Sequence, residues 1–412
     1  MTAAETLSIQ QQIDKATAGE TIEITAGEHD ESIIIDKPIR LVGNEGATLV
    51  QQGSDPIITI QTDDAVIENL DLAYANDGSE AAAIFINGDR NELKNINIQT
   101  NSYGVHLDEA NDNAISHLDI KGDENESLTH RKHGIFVWKS DNNEIHDTRI
   151  KHVQDGIYME SSDENHIYQN TVFQSRYGYH LMFTENTVLE ENDSYENVSG
   201  MMIMGTNGTI ARHNSLTHNR ENIQSLGLLL FDVQNADIAN NNIAYNRIGI
   251  FVEDASENEI HSNHVQGNYI GLQFKGASHN TIFHNSFVAN VAQGQAEESS
   301  DNDVNNNYWG DHLGFDMTGD HTSDLAYKVN PFFLNLTSEY PPFQLLFQSP
   351  GMVFLEQVIH TPIDEQLVDQ SPLLENPLTS DSQSMNQISV LVFSICLLIF
   401  SSFIMYMGVK KQ

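Results

Sequence analysis

Residues 156–182 read GIYMESSDENHIYQNTVFQSRYGYHLM, and at Gly178 the pattern of Gly156 begins again. A glycine opens an apolar–variable–apolar–variable run, a polar turn follows, and an asparagine precedes an isoleucine by two residues. The unit recurs from Tyr103 to Asn290 as YGVHLDE, HGIFVWK, DGIYMES, YGYHLMF, SGMMIMG, LGLLLFD, IGIFVED and IGLQFKG. Its glycines are Gly104, Gly134, Gly156, Gly178, Gly200, Gly227, Gly249 and Gly271, separated by 30, 22, 22, 22, 27, 22 and 22 residues. A period this short is too tight for helical solenoids or propeller blades. It fits one coil of a β-helix, whose short strands pair only with the coils above and below. The expected fold is all-β, a right-handed parallel β-helix.

Working outward, Ser8 to Ala18 has Ile9 and Ile13 at i,i+4 and stops before Gly19, as a short amphipathic helix would. It suits the capping of an exposed solenoid end. The expected organisation is a cap over 1–20, the β-helix over 21–292, a C-terminal capping and docking region over 293–377, a linker over 378–387 and a transmembrane helix over 388–409. The last stretch, ISVLVFSICLLIFSSFIMYMGV, is uncharged and is followed by Lys410 and Lys411. As a helix it would reach about 33 Å, enough to cross a bilayer. The lysines favour a cytoplasmic C-terminus and a single-pass protein with its body outside the membrane. The opening MTAAETLSIQQQIDK has neither the basic region nor the apolar core of an export signal, so the export route is not visible.

The 412 residues carry 19 basic and 59 acidic side chains, a net charge of -40. That balance excludes a general nucleic-acid binder, which needs a basic footprint. The single cysteine, Cys396, lies in the apolar tail, so there is neither a disulfide framework nor a cysteine-based metal knuckle.

Alternate strand residues face opposite ways. Positions one and three after each glycine are almost all apolar and face inward, as in Ile157/Met159 and Leu228/Leu230. The residues Ile115, Ile145, Ile167, Val188, Ile210, Ile238, Ile260 and Ile282 form a second expected inward strip. Asn113, Asn143, Asn165, Asn258 and Asn280, two residues earlier, are expected to satisfy local turn backbone. Function must then come from positions two and four: His106/Asp108, Phe136/Trp138, Tyr158/Glu160, His180/Met182, Met202/Met204, Leu229/Phe231, Phe251/Glu253 and Gln273/Lys275. This face is unusually apolar, which suggests a partner surface or a covering loop.

In its middle, His180, Met182, Met202 and Met204 share one face of two adjacent coils. Thioethers with imidazole suit soft copper(I), held transiently. Methionines that merely fill an adaptable contact surface are the competing reading. A looser echo of a calcium loop occurs at Asp316, Asp320 and Asp324, without the glycine and closing glutamate of an EF-hand. His261, His264 and His284 are a further loose metal-capture candidate. The insertion 122–133 and the loop around 217–224 are places where a solenoid carries recognition. Asp108, Glu160 and Glu253 stand apart with no adjacent acidic pair, and Lys275 near Glu253 by coil count is a single pair, so an enzyme is not expected. A carbohydrate-binding or adhesive surface protein remains the alternative.

A resemblance adds to these readings. The carrying features are the A-x-x-G-E-T-I-x-I segment at 16–24, ATAGETIEI, with KPIRLVG at 37–43, the Asn-x-Ile coils and NNNYWGD at 305–311. GFDMTGD, DLAYKVNPFF and SEYPPFQLLFQSPGMVFLEQ complete it. The chain resembles the NosD family, extracytoplasmic β-helix proteins that help assemble the copper sites of nitrous oxide reductase. The resemblance implies work alongside an ABC-type ATPase and its permease, a copper chaperone and the apo-reductase, without turnover of its own. Pro331 to Gln357 is the expected dock for the permease.

Overall fold

The computed structural model describes residues 7–74, 81–222, 224–329 and 367–378, with positions 336, 339, 340, 342 and 343. Two units are distinguished, Met1–Glu375 and Asn376–Gln412; of the second, 376–378 are described. The stretch 388–409 and almost all of 331–357 therefore lie outside the described residues. Among the described residues no helix is long and apolar enough to cross a membrane.

The first unit is a parallel β-solenoid of about 13 turns, with a short helix at its N-terminal end. The helix is Ile9–Lys15, started by a Ser8–Gln11 capping box, and it buries Ile9 and Ile13 in the solenoid core. Each regular coil contributes one strand to a twelve-stranded parallel sheet and two short strands to a larger, 23-stranded one. The coils do not stop near residue 292: Ala292–Glu297 pairs with Ile270–Lys275, and Asp303–Asn305 and Tyr308–Trp309 extend the other sheet.

Inward positions after each glycine are buried as expected, but the second strip contains a correction. The register runs from Ile167 to Leu189, then Ala211, then Ile238. Val188 and Ile210 are half-exposed, while Leu189 and Ala211 are buried. Thr187 and Thr209 occupy the places 22 and 44 residues on from Asn165, and Asn186 lies one residue early in a left-handed turn, φ 51°. A one-residue slip moves a side chain to the opposite face.

The asparagines also do something other than expected. They are buried, and most of their bonds run between coils; Asn280 also donates to the Ser278 carbonyl within its own turn at 3.2 Å, as expected. Asn192 donates its backbone N–H to Asn214 Oδ1 at 3.0 Å and its Nδ2 to the Ile167 carbonyl at 2.8 Å. The same arrangement continues through Asn241, Asn263 and Asn285 to Asn307. Asn113, Asn143 and Asn165 belong to a parallel row, linked by Asn113 N–H to Asn143 Oδ1 at 2.9 Å and Asn143 N–H to Asn165 Oδ1 at 2.8 Å. Buried backbone at a coil corner needs partners, and the amide supplies an acceptor and donors to the coils on either side.

Close coil contact also fixes the glycines. A Cβ at Gly178 would lie 2.4 Å from the Gly200 carbonyl oxygen and 2.2 Å from Ser194 Oγ. At the far end the antiparallel pair Tyr327–Val329 and Leu367–Asp369 closes the core. Trp309 stacks between Phe287 and Tyr327, with centroids 4.5 and 4.7 Å away. Asp369 Oδ2 accepts from Trp309 Nε1 and from the Asn307 N–H, both at 2.9 Å, and so takes the place of the next rung.

Candidate functional site

The solenoid register brings the sequence-selected stripe together on the outer face of the twelve-stranded sheet. In strands Asp155–Glu160, Tyr177–Met182 and Ser199–Met204, Tyr158 pairs with His180 and His180 with Met202. Glu160 pairs likewise with Met182, and Met182 with Met204. Adjacent strands lie about 4.8 Å apart, so the four predicted ligands occupy a two-by-two patch.

The patch is more enclosed than an outward position suggests. His180 is 8% exposed and Met202 7%. Met202 packs with Leu226 and Leu229, and Tyr177, Met204, Phe231, Ile248 and Phe251 pack around them. The Tyr177 ring meets His180 edge-on with centroids 5.3 Å apart, and the Tyr158 ring lies 4.7 Å away on the strand beside it. Tyr158 Oη lies 2.7 Å from Glu160 Oε2 and 3.3 Å from Met182 Sδ. Burial and the Glu160 hydrogen bond raise its ionisation above the ordinary tyrosine range.

Behind His180 sits a buried carboxylate paired with a half-buried arginine, which the sequence reading passed over. Asp155 is fully buried. Arg176 grips it with both arms, Nε to Oδ1 at 2.7 Å and Nη2 to Oδ2 at 2.6 Å. His180 Nδ1 lies 2.9 Å from the same Oδ2. Burial pushes the Asp155 carboxyl up, but the bonds from His180 and Arg176 and the neighbouring His133 outweigh it and hold the group at about 2. His133, the last residue of the 122–133 insertion, brings Nδ1 to 3.5 Å from Oδ2. Burial, opposed by the Asp155 charge, lowers His133 to about 4, so it is neutral at pH 7.

The chemistry available to a metal follows from what is left unpaired. His180 Nε2 is buried with no hydrogen-bond partner. Among the described residues no group of three or more His, Cys, Asp or Glu side chains is placed to hold a metal ion. The oxygens of Asp155 are engaged by Arg176 and His180, and Glu160 accepts from Tyr158 beside the patch, so the expected donor set is one imidazole and the thioethers. That donor set is neutral and soft, which fits Cu(I) and does not fit calcium.

The other candidates are not assembled. Asp316 takes the backbone N–H groups of Thr318, Gly319 and His321. Asp320 takes the Thr322 N–H and hydroxyl, which makes this stretch a self-bonded turn. His261 bonds to Asp237 at 3.0 Å and His264 to Gln266 at 2.7 Å. His284 packs its ring edge-on against Phe283 instead. Lys275 and Glu253 form an ion pair of 2.7 Å, and Glu297 lies in register beside Lys275 on the next coil. The clue to the missed residues was the position just before each glycine: Asp155 stands where other coils place Tyr177, Ser199 or Leu226.

Fold and stripe together define a parallel β-helix protein with an imidazole–thioether face. Residues 117–319 match the family model described as periplasmic copper-binding protein (NosD), the same family that the sequence resembles. No curated protein sequence is a significant match. Solved structures share the fold at low identity. The mannuronan C-5 epimerase AlgE6 A-module of Azotobacter vinelandii is 14% identical, with 73% of this chain and 88% of that one covered, at TM-score 0.51. A mannuronic acid specific family 6 polysaccharide lyase from human gut microbiota is 14% identical over 74% and 86%, at 0.56. A family 28 exopolygalacturonase of Yersinia enterocolitica is 10% identical over 74% and 75%, at 0.54.

Proposed function

We propose that this protein is an extracytoplasmic accessory factor for maturation of nitrous oxide reductase, carrying Cu(I) as transient cargo on His180, Met182, Met202 and Met204. The observation that carries the reading is the buried, unpartnered His180 Nε2 in register with Met202, within the stretch that matches the NosD model. The proposed ligands are neutral and Asp155 is already balanced by Arg176, which leaves the Glu160 carboxylate beside Met182 as a nearby counter-charge outside the ligand set. A site of that kind suits cargo handed on rather than a resident cofactor. The protein would act with an ABC-type ATPase and permease, a copper chaperone and the apo-reductase, tethered to the membrane through 388–409 without catalytic turnover.

The test is anaerobic Cu(I) titration of the full chain against a variant changed at His180, Met182, Met202 and Met204. The reading expects one Cu(I) lost from the stoichiometry; unchanged stoichiometry and affinity would remove the site. A second reading, carbohydrate binding, draws on the stacked rings of Phe136 and Tyr158, 5.2 Å apart on the same face. It expects metal-independent retention on immobilised glycan.

A further inference from the structure

Asp155 is no part of the ligand set, yet it is the fully buried charge nearest to it. An ionised carboxylate only accepts hydrogen bonds. The His180 nitrogen facing Asp155 Oδ2 at 2.9 Å must therefore carry the proton. In a neutral imidazole the other nitrogen then holds the lone pair, and that atom is the buried, unpartnered Nε2. We propose that Asp155 and Arg176 are positioning residues for cation binding. Asp155 fixes His180 in its Nδ1–H tautomer with the Nε2 lone pair available to the thioether patch, and Arg176 holds the Asp155 carboxylate in place through both of its oxygens.

Three observations support the assignment. The Arg176 fork engages both carboxylate oxygens, so the Asp155 plane cannot turn without breaking two charge-assisted bonds. Arg176 also lies over the Tyr177 ring, 4.4 Å from its centroid, and Tyr177 meets His180 edge-on. His133, the other imidazole near Oδ2, stands at 3.5 Å and makes no hydrogen bond through Nδ1, so His180 is the ring that the carboxylate orients. A ligating histidine whose far nitrogen donates to a carboxylate gains both orientation and basicity. The alternative is that Asp155–Arg176 simply straps neighbouring coils, a role indifferent to which His180 nitrogen is protonated.

The functional meaning rests on the Cu(I) reading above, whereas the tautomer can be measured without copper. Full-length protein with ¹⁵N-histidine is examined at pH 7 by long-range ¹H–¹⁵N correlation, with His180 assigned by its loss in His180→Gln. The expected result is a protonated Nδ1 and an unprotonated Nε2. Asp155→Leu, which removes every acceptor, should move the proton toward Nε2 and weaken Cu(I) binding by about 10–100-fold in competition with bicinchoninate. Asp155→Glu should restore part of both. Protonation of His180 at Nε2 in the unmodified protein overturns the proposal, as does an Asp155→Leu protein with unchanged tautomer and affinity. If Asp155→Leu does not fold, the unmodified tautomer still decides. An Nδ1–H tautomer in a protein that binds no Cu(I) upholds the lock and defeats the copper reading.

Discussion

Asp155 Oδ2 and His180 Nδ1 lie 2.9 Å apart between neighbouring coils of the solenoid. Parallel in-register stacking makes this possible: residues 22 apart, such as Asp155 and Tyr177, come to lie side by side. His180, three residues farther along the strand, then reaches back to the carboxylate. The repeat thus builds a local charge arrangement from residues distant in sequence.

His133 gives the stability a pH dependence. Its folded-state value lies near 4, below the ordinary 6.5, so the unfolded chain binds the proton more readily between these limits. Stability from this group is complete above about pH 6.5 and is lost as pH falls through about 4. Thermal unfolding from pH 7 to pH 4 should show a smaller decline for His133→Gln than for the unmodified protein. The difference should amount to at most about 3 kcal/mol.

The asparagine rows should be structural. Asn241 Oδ1 accepts from Asn214 N–H and Nδ2, both at 2.9 Å, and its Nδ2 donates to the Ala211 carbonyl at 2.8 Å. Asn241→Ala removes these partners from the buried Asn214 N–H and Ala211 carbonyl of the preceding coil. Denaturant unfolding should register a loss of about 2–4 kcal/mol. Cu(I) stoichiometry should not change.

Asp369 closes the row that ends at Asn307. Asp369→Leu removes the acceptor for Trp309 Nε1 and Asn307 N–H at once. A destabilisation of about 2–4 kcal/mol is expected, with a change in Trp309 fluorescence. Asp369→Asn, which keeps an acceptor oxygen, should recover part of both effects.

Much of this architecture was legible because a solenoid repeats its instructions. Glycine spacing and alternating apolar residues identify coils and inward positions, and His180, Met182, Met202 and Met204 do meet on one face. The slips have physical causes. Asn186 sits one residue early, so counting from the asparagine put Val188 where Leu189 belongs. The asparagine amides were assigned to turns because a single coil does not reveal that the neighbouring coil completes their bonds. Asp155 and Arg176 were missed since they sit just before the glycine, outside the strand positions counted for function. Only after stacking do their charges converge on His180.

The most direct test is copper K-edge X-ray absorption on the full chain loaded anaerobically with one equivalent of Cu(I). The account predicts a shell of imidazole nitrogen and thioether sulfur, with the sulfur contribution lost when Met182, Met202 and Met204 are all changed to leucine. A sulfur-free shell, or a spectrum that the triple change leaves intact, would contradict it.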